Sequence, residues 1–336
     1  MPDSQNKNPT ANGGPSRPGD ALPLRRRFSW LHVREQVIHS ILFGCALLSV
    51  LTTVSIIYVL ITESLIAIPP HTAFFQDVSF REFFTETRWT PQYAKEQQHY
   101  GILPLVTGTF LVTGISAIIG LPVGLLIAIY LSEYASPNAR KWVKPVLEIL
   151  AGIPTVVYGY FAIRFLTPVV IMPIFENWLG MTVYGKNALA GGIVVGLMII
   201  PMVASLSEDV MRSVPNSLRE SGYALGSTKF DVSSKIVVPA ALSGIFAAFL
   251  LALSRSIGET MAVTIASAGF ANLTLNPLTQ IQTMTSYIVD VMTGEVVSGS
   301  TVEKSLYAVA LMLFIITMIM NVISQWVLSR YREVYQ

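Results

Sequence analysis

The chain has 336 residues, of which 52% are apolar and 12% charged, and its formal net charge at pH 7 is +2. This composition favours a polytopic membrane protein over a soluble one, and we expect no nucleic-acid partner. The single cysteine, Cys45, excludes an intrachain disulfide and a CxxC-type metal or redox motif.

The first segment of the chain is rich in Pro, Gly, Asn and Ser. We expect residues 1–34 to be a disordered tail, followed by a transmembrane domain over residues 35–332. The apolar run after the tail begins too late and is too long for a cleaved signal peptide.

Six apolar segments are long enough to cross a bilayer, which requires about 20 residues each. Because backbone groups in lipid must be satisfied internally, these segments must be helices. Gly and Pro interrupt several of them, either for close helix packing or as hinges for a conformational change. The predicted spans are residues 37–61, 102–131, 145–172, 188–206, 240–269 and 306–328.

Lys and Arg are concentrated in four segments: the N-terminal tail, the connections after the second and fourth spans, and the C-terminal tail. These segments all fall on one side of a six-span arrangement. The positive-inside rule therefore predicts that both termini are cytoplasmic.

Two long loops lie on the predicted outer side. Residues 62–101 are dense in aromatic side chains. This indicates a binding surface or an interfacial belt, or else a loop that packs its own aromatics against the membrane surface. In residues 270–305 a helical repeat predicts a short amphipathic helix. Its apolar positions are Ile281, Met284, Ile288 and Val291.

The cytoplasmic connection at residues 207–239 has a helix–turn–helix pattern. Pro215 suits the first turn of a helix, and Leu218 and Leu225 give that helix an apolar side. Gly226 can end it in the left-handed cap conformation. Such a helix could dock in a groove of a partner protein, and an ordinary interfacial hairpin is the alternative.

Two charged residues, Arg255 and Glu259, lie within the apolar segment 240–269. Each costs about 2.5–3.5 kcal/mol at mid-membrane depth. A spacing of four residues predicts that both lie on one helical face. Such a pair is expected to face a bundle interior or a solute pathway, together with the neighbouring hydroxyls of Ser254 and Thr260.

Other charged residues are weaker candidates. We expect Arg164 to extend from the third span toward the interface, Glu148 to pair with Lys144 on the helix surface, and Asp209 with Arg212 to orient the cytoplasmic loop. No His cluster for a metal and no GxxxxGK[ST] nucleotide motif is present, so the energy for any transport must come from another subunit or from a gradient.

The cytoplasmic loop resembles the EAA loop of importer permeases of the ATP-binding-cassette class. The resemblance rests on Glu220, on Gly226 at its fixed offset and on the final Ile236-x-x-Pro239. Ser221 and Gly222 replace the usual alanines, and Val238 replaces a leucine. The resemblance implies a coupling helix that enters a cleft of a cytoplasmic ATPase. By resemblance, Glu220 and Gly226 are coupling residues. We include four further residues of the same loop as candidates for coupling: Arg219, Leu225, Pro239 and Asp209.

Residues 152–159 and 254–262 are similar to segments of the phosphate-specific transport permeases, and the long first outer loop favours the C-subunit branch. This resemblance covers the first span to about Arg330. It implies an all-α type I importer fold with six spans in a bacterial inner membrane. It also implies a sister permease of the A type, two copies of an ATPase and an extracytoplasmic phosphate-binding protein.

We therefore expect a non-enzymatic permease for inorganic phosphate that binds no cofactor itself, with ATP and Mg²⁺ on the partner ATPase. The planar donors of Arg255 suit a tetrahedral oxyanion. Glu259 could accept a hydrogen bond from a protonated phosphate oxygen, which sulfate does not have at neutral pH. A structural ion pair is the alternative for these two residues. A permease for sulfate or molybdate, a gradient-driven carrier and a non-transporting scaffold are the alternatives for the chain.

Overall fold

The computed structural model describes residues 30–66 and 72–331. The expected tail lies outside these ranges except for its last five residues, which already belong to a helix. Within the described ranges the chain is helical, apart from loops and two isolated β-bridges, Trp89 with Tyr100 and Ala268 with Ile281. The chain divides into two units, residues 1–55 and 56–336.

Fourteen α-helical segments occur in the described residues. In chain order they are α1 (Trp30–Ser64), α2 (Phe74–Asp77), α3 (Phe80–Thr85), α4 (Leu103–Ile129), α5 (Pro137–Gly152), α6 (Thr155–Phe161), α7 (Ala188–Ser213), α8 (Asn216–Ala224), α9 (Lys229–Val232), α10 (Val238–Ala240), α11 (Leu242–Ile257), α12 (Met261–Ser267), α13 (Met284–Thr293) and α14 (Thr301–Tyr331). Wider π-helical turns extend α4 to Tyr134 and α6 to Trp178, and connect α9 to α10.

Five of these helices, with their extensions, are long and apolar enough to cross a membrane. A sixth crossing results if the pair Lys229–Ala240 and Leu242–Ile257, bent by 70°, is one span. The described part of the chain therefore has the predicted all-α polytopic architecture. The unbroken candidates are Arg34–Ser64, Leu103–Tyr134, Thr155–Trp178, Ala188–Ser213 and Thr301–Val327.

The third predicted span, residues 145–172, is wrong at its beginning. Residues up to Gly152 belong to the separate helix α5, and the crossing helix begins only at Thr155. Ile153 is extended (φ −66°, ψ 128°), as expected for a residue that precedes a proline. The helix α5 is amphipathic, and hydropathy alone merged its apolar side with the span that follows.

The fifth predicted span, residues 240–269, is not continuous. Helix α11 ends at Ile257, Gly258 caps it, and α12 begins at Met261. The bend of 70° at Ala241 separates α11 from the loop helices before it. The apolar character of the whole segment concealed both breaks.

The central contact of the bundle joins α4 and α7. A Cβ atom added at Gly120 would lie 2.5 Å from Ile199 Cγ1, and one added at Gly124 would lie 2.6 Å from Val203 Cβ. These distances are shorter than van der Waals contact, so the two helices approach closely only because glycine is present. Close packing is therefore sufficient to explain these two glycines.

Apolar cores lie at both ends of α4. At one end, Leu105 packs in a cluster with aromatic residues of the 72–102 segment and with α13 and α14. At the other end, Ala128 packs with Met211 and with residues of α9 to α11. We call the second end the loop end of the bundle, because it carries α8 and α9.

Four aromatic side chains of the loop pack against one another, whereas Phe80, Phe84 and Tyr93 remain 53%, 47% and 52% exposed. Phe74, Phe83, Trp89 and Tyr100 are all at most 4% exposed and meet edge to face. Trp89 also contacts Tyr287 of α13, with ring centroids 4.9 Å apart. The predicted helix of the other loop is present as α13, but Ile281 precedes it and forms a bridge with Ala268 instead.

Candidate substrate pathway and coupling loop

Arg255 lies in the last turn of α11, near the middle of the apolar sequence. Its side chain is exposed and lines a cavity of about 280 Å³ between α5, α7 and α11. An exposed guanidinium on a crossing helix is costly against lipid, so this surface is expected to face water or a partner subunit. The residues lining the cavity are Lys144, Leu147, Glu148, Ala151, Met198, Pro201, Met202, Ser205, Glu208 and Arg255.

Glu259 does not share a helical face with Arg255, which corrects the sequence prediction. It lies in the break between α11 and α12, because the helix ends two residues earlier. Its Oε1 accepts a hydrogen bond of 3.3 Å from the backbone N–H of Ala262, and so caps α12. Within the described residues no ion pair joins Glu259 to Arg255, so the predicted structural pair is absent there.

The two hydroxyls predicted to flank the pathway have different surroundings. Ser254 Oγ is buried and has no hydrogen-bond partner among the described residues. Thr260 Oγ1 donates to the carbonyl of Gly258 at 3.1 Å and stabilises the break. Ser256 was not among the predicted pathway residues, and its buried hydroxyl shares a hydrogen bond of 2.7 Å with Ser116 of α4.

Glu208 is the main charged residue that the sequence analysis missed. Its side chain is fully buried, and three basic side chains lie within ion-pair distance of its carboxylate. They are Lys144 at 3.0 Å, Arg140 at 3.5 Å and Arg212 at 3.6 Å. The predicted acid, Asp209, is exposed instead. The sequence could have indicated an ion pair of Glu208, because Glu208 and Arg212 are four residues apart and so lie on the same face of a helix.

The expected pairing of Lys144 with Glu148 is therefore wrong for the lysine, which contacts Glu208 on another helix. Glu148 lines the cavity that contains Arg255.

Arg164 stacks over the ring of Tyr160, with its Cζ 5.6 Å from the ring centroid. This cation–π contact gives Arg164 a partner within its own helix.

The predicted coupling loop has the expected local structure. Helix α8 follows Pro215 and is followed by Gly226, whose φ of +81° is the left-handed conformation that favours glycine. Within the loop, Thr228 accepts a hydrogen bond from Asp231 N and so caps α9. Hydrogen bonds from Lys235 and Thr228 lower the pKa of Asp231.

The side chains of the loop divide into an anchored set and an exposed set. Arg219 is anchored: it donates to the carbonyls of Val214 and Met211, at 2.6 and 2.8 Å, and lies 3.1 Å from Glu133 of the α4 extension. Glu220 and Pro239 are exposed. Leu225 is 87% exposed and Phe230 69% exposed, so this surface presents apolar side chains outward.

The opposite end of the bundle is held by one further ion pair. Lys304 at the start of α14 lies 2.7 Å from Asp77 of α2 and also donates to Thr72. Burial raises the pKa of Tyr100 to about 12, and the nearby negative charges of Glu82 and Asp77 add to this effect. Burial also raises the pKa of Tyr287. The hydroxyl of Tyr287 shares a hydrogen bond of 2.6 Å with Ser305. These contacts make residues 72–102 a part of the folded core.

Residues 120–333 match the family described as binding-protein-dependent transport system inner membrane components. The chain belongs to this family, so it is an inner-membrane subunit of a transport system. The broken span, the α8–α9 loop and the cavity at Arg255 all lie within the matched residues.

Individual relatives agree with this membership. The chain is 33% identical over 290 residues to the probable ABC transporter permease protein YqgH of Bacillus subtilis, covering 86% of this chain and 89% of the relative. It is 34% identical over 261 residues to the phosphate transport system permease protein PstC of Xylella fastidiosa strain Temecula1, covering 74% and 78%.

Solved structures support the fold. A chain of the bacterial alginate ABC transporter, solved with an alginate-bound periplasmic protein, superimposes with a TM-score of 0.60. The match covers 87% of this chain and 93% of the solved one, at 15% identity. The architecture is thus the ABC importer permease fold expected from the sequence.

Proposed function

We propose that this chain is the permease subunit of an ATP-driven importer of inorganic phosphate. It pairs with a sister permease to enclose the pathway, and it receives phosphate from an extracytoplasmic binding protein. ATP is hydrolysed by two copies of a cytoplasmic ATPase, so this chain itself is no enzyme. Both of its termini lie in the cytoplasm.

The observation that carries the proposal is the exposed guanidinium of Arg255 in a cavity beside the middle of α7. A planar fork of donors binds two oxygens of a tetrahedral anion at once, which a lysine cannot do. The similarity to phosphate transport system permeases supports phosphate as that anion.

Selection against sulfate is assigned to Glu259. One of its oxygens is occupied by the N–H of Ala262, and the other accepts a hydrogen bond from a protonated phosphate oxygen. Sulfate at neutral pH has no such proton and is repelled by the carboxylate. Ser254 and Thr260 are the chain neighbours of Arg255 and Glu259, and they line the same pathway.

Coupling is assigned to α8 and the turn that follows it. The exposed Glu220 and Leu225 meet the ATPase, Gly226 gives the turn its shape, and Arg219 transmits the movement to α4 and α7 through its buried contacts. Asp209 and Pro239 mark the two ends of this loop.

Labelled phosphate uptake tests the proposal in cells that lack this chain. The wild-type chain is expected to restore uptake that excess sulfate does not inhibit. Uptake that equals that of cells without the chain would overturn phosphate as the substrate. Inhibition by sulfate or molybdate would indicate the related oxyanion permease instead.

A further inference from the structure

A cluster of basic side chains surrounds Glu208 beside the cavity that contains Arg255. Glu208 is fully buried, whereas Lys144, Arg140 and Arg212 remain 35%, 25% and 50% exposed. Three cations and one carboxylate give the cluster a formal charge of +2. The shortest of the three ion-pair distances is 3.0 Å, from Lys144 Nζ to Glu208 Oε2, so opposite charge holds the cluster together.

Two members of the cluster, Lys144 and Glu208, line the same cavity as Arg255. The wall of the cavity contributed by α7 extends from Met198 to Glu208, which is ten residues or about 15 Å of helix. Lys144 lies at the Glu208 end of this wall. Arg255 is 13 residues into α11, about 20 Å from its start at the loop end. Lys144 is therefore the cation nearer the loop end.

We infer that Lys144 is a second oxyanion contact, to which the anion passes from Arg255 on its way to the loop end, and that Glu208 holds Lys144 while no anion is there. This inference rests on the proposed function. The anion replaces the Glu208 carboxylate as the partner of Lys144, and Arg140 and Arg212 keep the buried carboxylate paired.

The physical reason for this arrangement is release. A pathway needs sites that attract the ion and yet let it leave, and several weak sites achieve this better than one strong site. A carboxylate that competes for Lys144 weakens anion binding there. Glu148, which lines the same cavity, adds a second negative charge with the same effect.

Thiol labelling tests the charge at Lys144 without relying on transport. Ser205 lines the cavity, so Ser205→Cys places a reporter there, in a chain whose exposed Cys45 is replaced by Ala. An anionic reagent should label this chain, in the assembled complex, several times faster than a neutral reagent of equal size. Lys144→Gln should lower this ratio several-fold, although Arg255 remains in the cavity. Inorganic phosphate should slow the labelling.

Lys141→Gln is the matched control, because Lys141 is exposed on the same helix and does not line the cavity. It should leave the labelling ratio unchanged. A ratio that is the same with and without Lys144, or labelling indifferent to phosphate, would overturn the inference.

Uptake separates an anion contact from a structural latch between α5 and α7. Lys144→Gln should lower phosphate uptake about tenfold, and the double variant Lys144→Gln/Glu208→Gln should remain equally low. Restored uptake in the double variant would overturn the inference, since two neutral partners can maintain packing without binding an anion. No phosphate uptake by wild type, with a labelling ratio that still depends on Lys144, would overturn phosphate as the cargo but support the cation site.

Discussion

The guanidinium of Arg219 lies 3.1 Å from the carboxylate of Glu133, and this contact joins the loop helix α8 to the end of α4. The two side chains are only 14% and 5% exposed. Because Arg219 also bonds the carbonyls that end α7, one side chain connects the loop to both central helices. A displacement of α8 must therefore move these helix ends or break the contacts.

Arg219→Ala is expected to destabilise the complex by about 3 kcal/mol, since it leaves Glu133 as a buried charge without its partner. Thermal unfolding of the purified complex measures this loss. The control is Lys235→Ala in the same loop. Its pair with Asp231 is exposed, and exposed ion pairs contribute little to stability. Equal melting temperatures for the two variants would contradict the anchoring role of Arg219.

Leu225→Asp is expected to release the ATPase from the membrane, because it places a charge where the proposed interface needs an apolar contact. Co-purification of the ATPase with this chain measures the effect. Leu275→Asp is the control, since Leu275 is 78% exposed but lies in the other long loop. An ATPase that stays bound to the Leu225→Asp variant would disprove the docking role of this surface.

Gly226→Ala is expected to cost about 1 kcal/mol, the penalty for an L-residue in the left-handed conformation. No atom lies within 4 Å of the added methyl group, so the cost is conformational and not steric. Gly226→Asn should be tolerated better, because asparagine adopts this conformation more readily. ATPase binding and uptake should follow the order Gly, Asn, Ala; equal values for Asn and Ala would refute the explanation.

Gly120→Ala is expected to lower the melting temperature and to reduce assembly, since the new methyl group would overlap Ile199. The control is Gly114→Ala in the same helix, where nothing lies within 4 Å of the added atom. Ile199→Ala should partly restore the Gly120→Ala variant by making room. If both glycine variants behave alike, helix propensity rather than α4–α7 packing governs the position.

Much of the architecture could be predicted from the sequence because it is encoded locally. About 20 apolar residues define a crossing helix wherever they occur, and Pro215 and Gly226 mark the beginning and end of α8 by their own backbone preferences. The amphipathic helix α13 was likewise visible as a repeat of apolar residues. These features depend on a few neighbouring residues and not on the rest of the fold.

The break at Gly258 and the charge cluster were not visible in the sequence pattern. Gly258 interrupts the fifth span without lowering its hydropathy, so Glu259 was assigned to a helix face that does not exist. The partners of Glu208 lie on α5 and α7, and the distance between those helices is not encoded in either one. The sequence pattern therefore gave Arg255 as a candidate, but it predicted neither the cavity around Arg255 nor the presence of Lys144 in that cavity.

Uptake by reconstituted vesicles tests the central claim about Arg255 most directly. The complex, with its binding protein and internal ATP, should take up labelled phosphate with wild type and with the control Arg164→Ala, whose side chain stacks on Tyr160. Arg255→Ala should reduce uptake at least a hundredfold while the ATPase remains bound. Wild-type uptake by the Arg255→Ala variant would contradict the account.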